Sequence, residues 1–342
     1  MSDARPEAPA EGNGTDQTPY PRVIAFPEAW TAAELGGKER FAHSIEAREL
    51  RELDTLAVQL RGRACCDISR KDASPPGLAE LMAGVREEVM NGRGIALVRG
   101  FDPARYDPQD YERLYWALGT HLGEGVVQSA FGDHVARVER NPNLPWRGTT
   151  TDMELRPHTD FHEVMSLASV SLPESGGVSG FVSSLAVHNE MLRSHPDLLQ
   201  ALYAGWYNGS PLQRQASGAK TPIFCCAGGK VSCFYNRVFF LAPQQAPEPF
   251  PPALTEAMAA MDALTQREDL IARFVLEPGE IVFWHNFQVM HSRTAFQDSA
   301  AHHRLLLRLW LNVPGGRPMV EEVRARARII DREHLEGHRP PA

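Results

Sequence analysis

Cysteine is scarce in this chain, and what there is follows no scaffold pattern. The 342 residues include five cysteines, as the adjacent pairs Cys65-Cys66 and Cys225-Cys226 and a lone Cys233. An odd count with these spacings excludes a secreted disulfide framework and matches no zinc-finger arrangement. Free thiols in a reducing compartment are the simplest account, so a cytoplasmic location is expected. Long apolar runs are also missing: none approaches the roughly 18 residues of a membrane helix, so no membrane partner is expected. Residues 1–20 lack the basic start and apolar centre of a signal peptide. Their Pro, Gly, Ala, Asp and Glu content reads as a disordered leader. Basic charge is not in excess either. With 35 Lys and Arg against 43 Asp and Glu, the net charge is −8, which argues against a nucleic-acid-binding surface. There is no internal repeat.

What is present is enough apolar material for a core, 43% of residues. The length allows one large domain or two. β-Rich domains run long, so residues 21–342 are read as a single domain. Ile45 to Leu60 and Leu78 to Val89 carry apolar residues at helical spacing. Gly94 to Gly100 is a short apolar run between glycines, a buried strand. Asp107-Pro108 opens a helix expected to reach Leu122, with Asp as cap and Pro in the first turn. Beyond Gly123 the texture turns to short strands: Val164 to Leu172, Gly180 to Ser183, Leu270 to Leu276, Ile281 to Phe283 and Arg304 to Val313. A hairpin is expected around Gly228-Gly229. Helices are expected over Val187 to Tyr203, interrupted near His195-Pro196, and over Pro252 to Leu264. The outline is an α/β cap (21–123), a β-rich core with one helical insertion (124–315) and a C-terminal tail (316–342).

The chemistry is concentrated in few residues. His158-Thr159-Asp160 lies where the strand texture begins, and residues two apart on a strand share a face. His158, Asp160 and His162 would then point together. With His291 downstream, two imidazoles and a carboxylate form a 2-His-1-carboxylate face with open positions, the mark of non-haem Fe(II) oxygenases. Thirteen histidines make a lone His-x-Asp a weak signal, and the combination with Arg304 and Arg308 strengthens it. On an extended strand, Leu305, Leu307, Leu309 and Leu311 share one face, and Arg304, Leu306, Arg308, Trp310 and Asn312 share the other. Leu306 and Trp310 imply that the arginine face is enclosed. An enclosed arginine needs an anionic partner, because an unpaired buried charge costs several kcal/mol. A dicarboxylate ligand would serve.

Four segments together carry a family resemblance: Pro157 to Asp160, Gly176-Gly177-Val178-Ser179, Glu277-Pro278-Gly279-Glu280, and Trp284 to Trp310. The chain resembles the taurine dioxygenase and clavaminate synthase-like (TauD/TfdA) family of Fe(II)/2-oxoglutarate dioxygenases, over roughly residues 94–314. The resemblance implies a mainly β fold with α-helices, a double-stranded β-helix (jelly-roll) core under an N-terminal α/β cap. It implies His158, Asp160 and His291 as iron ligands and catalytic residues, and Arg304 and Ser179 as the seat of the distal carboxylate of 2-oxoglutarate. Arg308 would contact an acidic group of the substrate. Relatives often carry Asp-Asn where this chain has His285-Asn286, so His285 is expected beside the site rather than on the metal. Fe(II), with 2-oxoglutarate and O2 as co-substrates, would hydroxylate a C–H bond of a small carboxylate or amino-acid-like metabolite, with desaturation and ring formation as variants. Retention of Asp160 favours hydroxylation over halogenation. A zinc hydrolase with the same ligands leaves the arginine pair unexplained, and a non-catalytic binding protein of the same fold is a further alternative. His162 is open between a hydrogen bond to the substrate and a solvent or core role, Tyr235 and Asn236 between pocket and packing roles, and Arg156 is read as a surface residue or one that supports the ligands from behind.

Overall fold

The computed structural model describes residues 18–129, 131–143, 148–209, 218–241 and 246–337. The expected leader lies almost wholly outside them.

Two sheets organise the molecule. The larger has seven strands. Its main path runs Ala42–Ser44, Ile95–Arg99, Glu280–His285, Val164–Ser171, Leu305–Asn312, Glu124–Gly125, and Ala136–Val138 also pairs with Leu305–Asn312. The smaller runs Ile271–Phe274, Ser179–Ser183, Val289–Arg293, Leu155–His158. Strands neighbouring in space are far apart in sequence and mostly antiparallel, as in a jelly roll.

Strand alternation divides the apolar residues of the large sheet between two cores. Ala96, Val98, Ile281, Phe283, Leu307 and Leu309 face outward onto the helices Ala47–Leu60, Pro76–Asn91 and Pro108–Gly119. Ile95, Leu97, Val282, Trp284, Leu306 and Trp310 face inward, with Trp284 meeting Phe181 of the small sheet. The all-Leu face expected on the last strand is thus the cap-facing one, and the arginine face is the enclosed one. Each fully buried Leu contributes about 1.5–3 kcal/mol, so the register of this strand is held from both sides.

The cap helices begin where their signals stand. Glu46 and Glu49 form a reciprocal capping box. Asp107 accepts from the Gln109 backbone N–H, with Pro108 in the first turn, and that helix ends at Gly119 rather than Leu122. The insertion carries Ser184–Ser194 and Pro196–Ala204, broken at His195 as the proline requires, and Pro252–Thr265. Its hairpin pairs Phe224–Ala227 with Lys230–Cys233 through Gly228 and Gly229, both at positive φ, the backbone a two-residue hairpin turn demands. Several elements lie outside expectation, among them the strands Ala42–Ser44, Ala136–Val138 and Val289–Arg293, the last of which carries His291. Within the tail, Glu321–Gly337 is a helix. Among the described residues, no helix is long and apolar enough to cross a membrane.

Candidate active site

The site is built on paired strands. His291 in Val289–Arg293 lies directly opposite His158 in Leu155–His158, and their rings sit with centroids 4.2 Å apart. The expectation that His158, Asp160 and His162 share one strand face is corrected here. The strand stops at His158, so Thr159 and Asp160 are placed by other contacts. Thr159 is locked to the hairpin end: its N–H donates to the Tyr235 carbonyl at 2.7 Å, and its Oγ1 accepts from the Tyr235 N–H at 2.8 Å. Asn286 clamps the next residues. Its Oδ1 accepts from the Asp160 N–H at 2.9 Å, and its Nδ2 donates to the carbonyls of Asp160 and His162, both at 2.9 Å.

These contacts bring the Asp160 carboxylate beside the imidazoles, with Oδ1 4.0 Å from His158 Nε2. Its other oxygen, Oδ2, accepts from Trp310 Nε1 at 3.1 Å and lies 3.7 Å from Arg308 Nη1. Burial alone would push the carboxyl pKa up. Arg308, the two histidines and the Trp310 hydrogen bond outweigh it, and the pKa stays below the ordinary value. The group is therefore an anion at neutral pH. Burial pushes the His291 pKa down to about 3, so this ring is neutral and able to donate a lone pair. His158 Nδ1 lies 2.8 Å from the Arg156 carbonyl. Paired as an N–H donor there, it leaves Nε2 as the lone-pair nitrogen, the usual way a ligating imidazole is oriented. No three His, Cys, Asp or Glu side chains among the described residues close on one point as they stand. The donor set nevertheless suits Fe(II) in its chemistry: two imidazoles and one carboxylate, the three-ligand set of non-haem iron sites.

Arg308 lies within the last strand and Arg304 immediately before it, the strand beginning at Leu305 rather than at Arg304 as expected. Arg304 is 4% exposed, and its Nη1 is buried with no hydrogen-bond partner among the described residues. Burial drives its pKa down to about 9, with neighbouring Arg293 adding to the fall and Asp298 opposing it. An orphaned, buried guanidinium donor suits a carboxylate supplied from outside. The glycine turn fits it closely: a Cβ on Gly177 would stand 3.1 Å from Arg304 Nε. Ser179 is buried at the start of Ser179–Ser183, paired in register with Arg293.

Sequence reasoning missed several residues. Arg293 is buried, and the guanidinium groups of Arg293 and Arg304 both lie over the Phe296 ring, at 4.8 and 5.0 Å from its centroid. Gln128 accepts from Arg308 Nε at 2.9 Å and donates to the Arg308 carbonyl at 2.8 Å. Trp284 lies 4.8 Å from the His291 ring. Only Trp310 carried a signal, its place on the arginine face. Tyr235 donates its hydroxyl to Asp262 at 2.6 Å, Asn236 accepts from the Val238 N–H, and Arg156 is exposed. His162 is buried, with Nδ1 2.9 Å from Asn312 Oδ1 and Nε2 3.2 Å from Asp331 Oδ1. His285 Nε2 lies 3.3 Å from Glu163 Oε1. Burial lowers its pKa while Glu163 pulls the other way, and its remaining charged neighbours are Arg317 and Glu28.

Residues 67–310 match the family described as taurine catabolism dioxygenase TauD, TfdA family, and the chain belongs to that family. Membership makes it an Fe(II)/2-oxoglutarate-dependent dioxygenase, with O2 as the other co-substrate. Among curated proteins it is similar to the FR-33289 synthase of Streptomyces rubellomurinus, 25% identical over 84% of this chain and 90% of the relative. It is also 24% identical to the taurine hydroxylase-like protein SAT17 of Stachybotrys chartarum, over 82% of this chain and 77% of that one. Among solved structures it shares the fold of asparagine oxygenase in complex with Fe(II), 2S,3S-3-hydroxyasparagine and succinate. That match has a TM-score of 0.65 and 16% identity, covering 80% of this chain and 94% of the other. The non-haem iron oxygenase OrfP, in complex with Fe and alpha-ketoglutaric acid, matches at TM-score 0.62 and 16% identity over the same shares.

Proposed function

We propose that this dioxygenase hydroxylates an unactivated C–H bond of a small carboxylate-bearing or amino-acid-like metabolite. In this reading His158, Asp160 and His291 hold the iron, and Arg304, with Ser179 nearby, seats the distal carboxylate of 2-oxoglutarate. Arg308 orients an acidic group of the substrate. The observation that carries the reading is one juxtaposition: two facing imidazoles, a buried carboxylate beside them, and an orphaned guanidinium immediately before the strand that presents Arg308. Structures named for complexes with 3-hydroxyasparagine and with (3S)-hydroxy-L-Arg give the amino-acid-like substrate class its support.

When bound, iron with 2-oxoglutarate and O2 supplies the oxidation: 2-oxoglutarate becomes succinate and CO2, and one oxygen atom goes to the substrate C–H bond. The chain itself positions and shields. Asn286 and the Tyr235 backbone hold the His158–Asp160 segment in place. Gln128 fixes the Arg308 guanidinium at Nε. Trp284 and Trp310 contribute apolar walls beside the ligands. The test is a screen of amino acids and small acids read by succinate formation after anaerobic loading with Fe(II). Substrate-dependent succinate with a product heavier by one oxygen supports the reading. Failure of every acidic member, with turnover on a neutral compound, would remove the role given to Arg308.

A further inference from the structure

Trp310 is enclosed by cationic and aromatic groups on several sides. Its indole lies 5.1 Å from the His162 ring and 6.0 Å from the His334 ring, the latter nearly parallel at 23°. The Arg308 guanidinium stands 4.3 Å from its centroid, and Phe161 meets it edge-on at 6.2 Å. The one polar atom of the indole, Nε1, is aimed at Asp160 Oδ2. Two of these contacts trace to the C-terminal helix. His334 belongs to Glu321–Gly337, and Asp331 of the same helix lies 3.2 Å from Nε2 of His162. The helix also sends the Arg326 guanidinium over the Phe161 ring at 5.6 Å. Val323, Arg326, Ile330 and His334 recur every three or four residues and so share one face, with Asp331 at its edge. That face meets Phe161, His162 and Trp310, the residues directly around Asp160.

We infer that Trp310 is a positioning residue that reserves one oxygen of Asp160, so that the carboxylate offers the metal only Oδ1, and that the C-terminal helix holds Trp310 in that role. The inference rests on Asp160 being an iron ligand. Its physical logic is a competition for lone pairs. A free carboxylate can bind a cation through both oxygens. An N–H committed to Oδ2 makes the second bond cost a hydrogen bond, and the Arg308 charge at 3.7 Å from the same oxygen adds to that cost. A one-oxygen carboxylate leaves room for a chelating co-substrate and O2. A two-oxygen carboxylate takes a position away from them.

The test measures Fe(II) affinity, 2-oxoglutarate affinity and the visible charge-transfer absorption of the Fe(II)–2-oxoglutarate complex under anaerobic conditions. It compares the full chain with Trp310→Phe, His334→Leu and Asp160→Ala. Trp310→Phe keeps the ring and deletes the donor. It is expected to bind one Fe(II) at least as tightly as the parent, to bind 2-oxoglutarate about 10-fold more weakly, and to show altered absorption. His334→Leu, which removes the stacking partner together with its Nδ1 contact to the Val127 carbonyl, is expected to move 2-oxoglutarate affinity the same way by about 2–3-fold, and it carries the test if Trp310→Phe does not fold. Parental 2-oxoglutarate affinity and absorption in both variants would overturn the inference, as would loss of Fe(II) binding in Trp310→Phe. Full Fe(II) binding by Asp160→Ala would instead sink the ligand assignment beneath it, so the two failures are distinguishable.

Discussion

Arg304 and Arg308 stand four residues apart, one immediately before the last strand and one within it, yet they differ in how far the chain itself satisfies them. Arg308 is held by Gln128 at Nε and lies 3.7 Å from Asp160. Arg304 has a buried Nη1 with no hydrogen-bond partner among the described residues, a second arginine close by, and a pKa drawn down to about 9. The chain anchors one guanidinium and leaves a buried donor of the other without a partner among the described residues. In the proposed assignment, that contrast separates a group already fixed in the resting architecture from one whose partner would arrive with the co-substrate.

The largest expected effect removes the centre beside both. His158→Ala or His291→Ala should abolish Fe(II) binding and reduce turnover to background, measured by metal analysis and succinate release. Activity at the parental level in either variant would break the assignment and the comparison with it. Next comes Arg304→Leu. A charge-assisted hydrogen bond is worth roughly 1.5–3 kcal/mol, or on the order of 10- to 100-fold in affinity. The 2-oxoglutarate requirement should rise by at least that much while iron binding persists. The substitution also removes a buried charge that lacks a partner, so the ligand-free protein should be no less stable than the parent by thermal melting. Arg308→Leu should act differently, leaving 2-oxoglutarate affinity within a few-fold of the parent while succinate forms without matching product. If the two variants exchange phenotypes, the register on this strand is misread.

A pH titration sharpens the same contrast. The folded-state pKa of Arg304 lies below its unfolded value, so below about pH 9 the protein bears the full cost of a buried cation, and that cost is relieved as pH rises through 9. An anionic ligand needs the charged form. Affinity for 2-oxoglutarate should therefore be flat below pH 9 and fall by up to about tenfold per unit above it, by calorimetry, and Arg304→Leu should abolish the dependence. The smallest effect is assigned to His285→Asn: unchanged iron stoichiometry and an activity loss of about 10–100-fold at most. A structure with His285 on the metal in place of His291 would reverse that.

The face of the last strand was legible because a period of two sorts Arg, Leu, Arg, Trp and Asn from an all-Leu partner face without any knowledge of the neighbours. The cap helices and the break at His195 were legible for the same reason: local periodicity and proline chemistry decide them. Gln128 was not, because its role depends on a contact across 180 residues, and Arg293 has no pattern around it to mark it as buried. The C-terminal helix escaped for a different reason. Its docked face mixes Val323 and Ile330 with Arg326, Asp331 and His334, so no apolar stripe announces it. The expected common face for His158, Asp160 and His162 failed because the strand ends at His158 and the loop then obeys Asn286 and Tyr235.

The facing positions of His158 and His291 carry a further consequence, given their assignment as ligands. Side chains alternate along a strand, so a one-residue slip between these two strands would turn an imidazole away from its partner and spoil the binding face in a single step. Capture of iron then acts as an inspection of the finished barrel. A chain that paired its strands wrongly would fail to collect the metal, and would be spared the damage of activating oxygen in a pocket that cannot contain it.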